Sequence, residues 1–207
     1  MEKRTLLITS RLFFAMIATV AMAVQFVIHV RNGSNVVNYF SYFTNLSNII
    51  AAGTLFYGAV HLIKRRKPSV ALDALRGAAF VYMTIVGVVF SVLLRNAELG
   101  ALLPWVNQVL HYTMPVYVFL EFFYQPPSGK LSKAVIPYWL IFPLAYLAYS
   151  LIRGPFAHFY PYPFLSPGHD GGYLRVALYS IAICVIFVLA SLLAVRLANA
   201  RRGSARA

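Results

Sequence analysis

The sequence predicts an all-α integral membrane protein, a bundle of six transmembrane helices with both termini cytoplasmic. Three observations carry this. Hydrophobic residues make up 60% of the 207 and charged residues 11%, against roughly 25% charged in soluble domains. Apolar runs long enough to cross a bilayer recur at 6–30, 36–63, 70–94, 103–124, 131–152 and 172–197. The basic residues favour one side. Lys3, Arg4, Arg11, Lys64, Arg65, Arg66, Lys67, Arg76, Lys130, Lys133, Arg196, Arg201, Arg202 and Arg206 share it, and Arg31, Arg95, Arg153 and Arg175 take the other. The positive-inside rule places the richer side in the cytoplasm. Residues 1–207 are thus expected to form one multi-pass domain in a cell membrane.

The first run follows Lys3 and Arg4 and contains Ala21-Met22-Ala23, which resembles a signal-peptide cleavage site. It stays apolar to Val30, so a retained helix is expected. The second run contains NYFSYFTNLSNII, from Asn38 to Ile50. On one continuous helix Asn38, Ser41, Thr44, Asn45 and Asn48 share an arc of about 120°, with Ser47 just outside it. Hydrogen bonding between helices explains two such residues. A stripe of five points to a polar cavity inside the membrane. The third run carries Gly87 and Ser91, a small-residue packing surface.

The fourth run contains PWVNQVLHYTMPV. Asn107 and His111 lie one turn apart on one face, with Gln108 beside them. Pro115 has no N–H, so it frees a carbonyl near residue 111 and bends the helix. The last two runs are joined by RGPFAHFYPYPFLSPGHDGGY, residues 153–173, whose prolines forbid a continuous helix. This connection reads equally as an interfacial anchor and as a lid.

The second and fourth runs enter from the same side. Helix rise puts Thr44 and His111 at depths of about 9 and 12 Å. A threonine hydroxyl is a poor nucleophile until a neighbouring base takes its proton, and histidine is the usual base. The acids are Glu2, Asp73, Glu98, Glu121 and Asp170, none close enough to orient His111. Glu121 is expected to pair with Arg76. Without a core carboxylate, a proton relay loses support. Asn107, Asn45 or Asn48 are left as orienting groups.

Other chemistries find little. His29, His61, His111, His158 and His169 are scattered, and His158, His169 and Asp170 share only a loose loop spacing. No metal and no cofactor is expected, and no phosphate or dinucleotide loop is present. Cys184 is the single cysteine, so no internal disulfide forms. The net charge of +13 is a topology signal rather than a nucleic-acid footprint.

YFTNLSN around Thr44, WVNQVLHYTMP around His111 and YPFL at Tyr162 resemble three signature regions of the androgen-induced, FAR-17a-type family. Its members are multi-span membrane threonine hydrolases that cleave fatty acid esters of hydroxy fatty acids. The chain is similar above all to the bacterial six-transmembrane branch, which implies a bacterial inner or plasma membrane. The resemblance implies Thr44 as nucleophile and His111 as base. Animal members carry an acid three residues after the threonine, where this chain has Ser47.

The expected function is therefore intramembrane lipid ester hydrolysis. Asn45, Asn48, Asn107, Ser41 and Ser47 are the oxyanion or orienting candidates. Arg175, Arg153, Arg95, Trp105 and Tyr162 are the candidates for binding a lipid that enters from the bilayer. The alternative is a small non-enzymatic transporter or lipid-binding protein whose polar cavity holds cargo. Nothing in the sequence speaks to oligomeric state.

Overall fold

The computed structural model describes residues 2–67, 69–96, 101–168 and 171–204, with side chains described to residue 200. Among these the regular structure is entirely helical. Glu98, His169, Asp170 and Arg206 lie outside the described residues, as do the side chains of Arg201 and Arg202. The chain runs through α1 (Glu2–Arg31), α2 (Val36–Phe40), α3 (Phe43–Ile63) and α4 (Val70–Val89), which continues as a π-helical turn, Phe90–Leu94. Then come α5 (Pro104–Gln108), a second π turn (Val109–Thr113), α6 (Met114–Tyr124), α7 (Ile136–Ala157) and α8 (Gly172–Ser204).

Five of these stretches are long and apolar enough to cross a membrane: Glu2–Arg31, Phe43–Ile63, Val70–Leu94, Lys133–Ala157 and Gly172–Ala200. The fourth expected run is also helical, from Pro104 to Tyr124, but the π turn divides it into short pieces. The most deeply buried stretch is Val70–Leu94. Here α4 packs against α3, α6 and α8, while α1 lies along α3 and α7 against α8. The outer faces of α7 and α8 expose Ile141, Leu144, Ile152, Ile181, Val185 and Leu189.

Close approach to α4 depends on small residues. The Trp139 indole lies over Gly77, where a Cβ would overlap the ring. That ring cannot swing aside freely, because its Nε1–H donates to the Ala74 carbonyl at 3.0 Å. Gly77→Ala is therefore expected to lose about 1–3 kcal/mol by overpacking, read as a lower thermal midpoint in detergent; an unchanged midpoint would show the ring yields. Gly87 likewise faces Pro115 of α6. Its small surface serves packing within this chain.

The second run departs from expectation. It is not one helix but two, broken at Ser41–Tyr42. Side chains take the backbone groups that a continuous helix would pair. Tyr146 Oη donates to the Ser41 carbonyl at 2.9 Å, and Asn45 Nδ2 to the Tyr39 carbonyl at 2.8 Å. Ser41 Oγ donates to the Val37 carbonyl at 2.7 Å and also contacts Tyr149 Oη at 3.0 Å. Arg153 donates to Asn38 Oδ1 at 2.6 Å and to Ser41 Oγ at 3.3 Å. Tyr146, Tyr149 and Arg153 share one face of α7, so that face holds the break open. Backbone polar groups in an apolar bundle must be satisfied internally, and these side chains do so for the Ser41 and Tyr39 carbonyls.

At the far end of the bundle, Arg11, Asp73, Arg76 and Glu121 are each at most 6% exposed. Arg76 pairs with Glu121 at 3.1 Å, as expected, and with Asp73 at 3.6 Å. Arg11 is the correction. Rather than flanking the membrane surface, it is buried, and its Nε donates to Glu121 at 2.8 Å.

Candidate functional site

The break between α2 and α3 does more than satisfy polar groups. It starts a new helix at Phe43, so Thr44 occupies the first turn of α3, where backbone N–H groups lack helical partners. No side chain caps this end at Tyr42. Instead the Thr44 N–H donates to Tyr162 Oη at 3.1 Å, and Thr44 Oγ1 lies 3.2 Å from the same oxygen.

Tyr162 comes from the connection after α7, which continues into a short 3-10 turn, Pro163–Leu165. Phe164 and Leu165 are buried and seat this segment on the bundle. The Tyr162 ring stacks on Phe164 and meets Tyr42 edge-on. Burial pushes its phenol up to about 12, so it stays protonated. Its oxygen accepts the Thr44 N–H and pairs with Thr44 Oγ1, where either hydroxyl can donate. With the phenol as donor, the Thr44 hydroxyl hydrogen is free for a base.

On the facing element, Pro115 cannot supply the N–H that would reach the Leu110 carbonyl in the π register. Asn48 Nδ2 supplies it instead, donating to the Leu110 carbonyl at 3.2 Å and to the Thr44 carbonyl at 2.9 Å. One amide thus ties the first turn of α3 to the turn that carries His111. The His111 ring stacks on Phe90, centroids 4.0 Å apart. Its Nδ1 lies 3.3 Å from the Asn107 carbonyl. A carbonyl only accepts, which assigns the hydrogen to Nδ1 and, in the neutral ring, the lone pair to Nε2.

Thr44 and His111 both line a cavity of about 470 Å³, together with Asn38, Tyr42, Asn45 and Tyr162. They do not hydrogen-bond to each other: the threonine contacts Tyr162, and the imidazole contacts Asn107. A second, apolar cavity of about 70 Å³ shares Thr44, Phe90, Leu94 and Tyr162 as walls.

The remaining candidates fall into four groups. Asn45 lines the larger cavity, with its amide engaged by the Tyr39 carbonyl. Asn48, Ser41 and Asn107 lie behind the site. Asn48 and Ser41 fix the backbone, and Asn107 contributes its carbonyl while its Oδ1 is buried without a partner. Ser47 is fully buried, also without a partner for its hydroxyl. The rim candidates line neither cavity. Arg153 is bonded to Asn38 and Ser41, Arg175 lies over the Tyr179 ring, and Arg95 and Trp105 are exposed.

The larger cavity also includes Gln25 and His29 of α1. Gln25 braces the entry to α5, accepting from the Leu103 N–H at 3.2 Å and donating to the Ala101 carbonyl at 3.1 Å. Its signal in the sequence is a lone amide in an apolar run. Among the described residues no group of three metal-binding side chains forms. No protein-family model, curated protein or solved structure matches the chain.

Proposed function

We propose that this chain is a threonine-dependent carboxylic ester hydrolase acting on lipids inside a cell membrane. In this reading it spans the membrane six times, with both termini cytoplasmic, and follows the FAR-17a-type family that its motifs resemble. Fatty acid esters of hydroxy fatty acids, or related acyl esters, are the substrates. The observation that carries the reading is the sharing of one cavity by Thr44, at a helix N-terminus, and His111.

The reaction follows from the parts. Thr44 Oγ1 attacks the ester carbonyl while His111 Nε2 takes its proton, directly on approach or through one water. The Thr44 N–H and the Tyr162 hydroxyl, which pair with each other at rest, turn to the oxyanion as it forms. His111 returns the proton to the leaving alkoxide, which departs as the alcohol and leaves an acyl-threonine. Water then attacks, His111 takes its proton, and the acid is released with Thr44 restored.

A fluorophosphonate probe tests the nucleophile, since it bonds through phosphorus and expels fluoride. Labelling of the wild-type chain is expected to vanish in Thr44→Ala; equal labelling of that variant would overturn the assignment. A second reading, a non-enzymatic lipid binder or transporter, draws on the Thr44 hydroxyl being bonded to Tyr162 and not to His111. Lipid flux in proteoliposomes without ester turnover would favour it.

A further inference from the structure

Two cavities of different polarity share Thr44 as a wall. The larger carries His29, Asn38, Asn45 and His111 on its walls. The smaller is walled by Val86, Leu147, Phe164, Ile183, Cys184 and Phe187, among other largely apolar residues, and no charged side chain lines it. We infer that the smaller cavity is the acyl subsite of this hydrolase and accepts an acyl group of only a few carbons, while the alcohol portion of the ester lies in the larger one. This rests on Thr44 as nucleophile, and within the proposed substrates it selects the related esters with short acyl groups over esters that join two long-chain fatty acids.

The orientation follows from where the protons go. An ester carbonyl bonded to Thr44 Oγ1 sends its acyl and alkoxy substituents in different directions. The alkoxy oxygen must receive a proton from His111, which lines the larger cavity and not the smaller. The acyl group therefore points away from His111, into the apolar walls. Hydrocarbon is favoured there because burial removes it from water and the walls are largely apolar, although the Ser180 hydroxyl on them is buried without a partner among the described residues.

The size limit follows from volume. At about 70 Å³, the cavity is roughly half the engineered apolar cavity of about 150 Å³ that holds benzene. Phe187 and Phe43 meet edge-on, centroids 5.7 Å apart, and close part of the wall. A long chain overfills this volume and has to displace packed rings or extend out of the cavity.

The test uses the full-length chain in detergent with p-nitrophenyl acetate, butyrate, octanoate and dodecanoate. Wild type is expected to show kcat/KM at least about tenfold higher for butyrate than for dodecanoate, a difference of the size one lost fit produces. Ile183→Ala enlarges the cavity and is expected to move the optimum to octanoate. Cys184→Phe fills it and is expected to keep acetate turnover while losing butyrate. Dodecanoate as the best wild-type substrate, or chain-length ratios unmoved by both variants, would overturn the subsite.

Binding is read separately in Thr44→Ala, where Cys184 remains the single thiol. p-Nitrophenyl butyrate is expected to slow its reaction with N-ethylmaleimide, and the dodecanoate is not. Absence of protection by butyrate overturns the subsite whatever the turnover. Thr44→Ala that still hydrolyses esters removes the nucleophile assignment instead, so the two failures are told apart.

Discussion

Replacing Glu121 by alanine is expected to destabilise the protein by about 3–5 kcal/mol, the cost of stranding buried guanidinium groups without their carboxylate. Glu121 contacts both Arg11 and Arg76, with each of the three side chains at most 5% exposed. Arg11 comes from α1, Arg76 from α4 and Glu121 from α6, so one carboxylate joins three helices. The surroundings add further bonds. Arg11 donates to the Gly58 carbonyl at 3.2 Å and to Gln125 Oε1 at 2.6 Å, and Arg76 to the Gln125 carbonyl. Asp73 accepts from the Ser128 N–H at 2.8 Å.

Exposed ion pairs contribute about 0–1 kcal/mol, because water replaces either partner. Glu121 is only 6% exposed, so little water reaches this position to replace it. Without it, Arg76 retains the longer contact with Asp73 and the Gln125 carbonyl, and Arg11 keeps neutral acceptors alone. The thermal midpoint in detergent measures the effect. Combining Glu121→Gln with Arg11→Met is expected to recover most of the loss, since Arg76 and Asp73 then balance. A midpoint for Glu121→Ala within error of wild type would show that solvent reaches this cluster.

How much of this was legible in the sequence depends on the range of the interaction. Helices follow from apolar runs, whose signal is local, and Pro115 marks the disturbed helix because its missing N–H is a local fact. The break at Ser41–Tyr42 is not local. It is held by Tyr146, Tyr149 and Arg153, more than a hundred residues away, and helical periodicity carries straight through it. Arg11 reads as part of a basic flank because its partner Glu121 lies 110 residues further on. Tyr162 stands out in YPFL, but nothing in that motif says its hydroxyl meets both the N–H and the Oγ1 of Thr44. The asparagines were visible as a polar group. That Asn48 stands in for the N–H absent at Pro115 emerges only when α3 and the π turn are side by side.

His111→Ala is expected to lower Thr44-dependent ester hydrolysis by about 10²–10⁴-fold, the usual contribution of a positioned general base. The fall belongs in kcat more than in KM, because the ring acts on a proton in flight and does not hold the ester. The Nδ1 contact to the Asn107 carbonyl fixes which nitrogen is free, and stacking on Phe90 fixes the ring plane. A purely structural histidine would also lower activity when removed, so a second measurement separates the roles. The cavity of about 470 Å³ has room for a small base, and imidazole added to His111→Ala is expected to restore part of kcat. Thr44→Ala is not rescued, since the nucleophilic oxygen itself is gone. The double variant is expected to be no slower than Thr44→Ala alone, because groups that act as one unit are not additive. Retention of more than about a tenth of wild-type kcat in His111→Ala falls below any base contribution of that order, and would leave Thr44 without its proton acceptor.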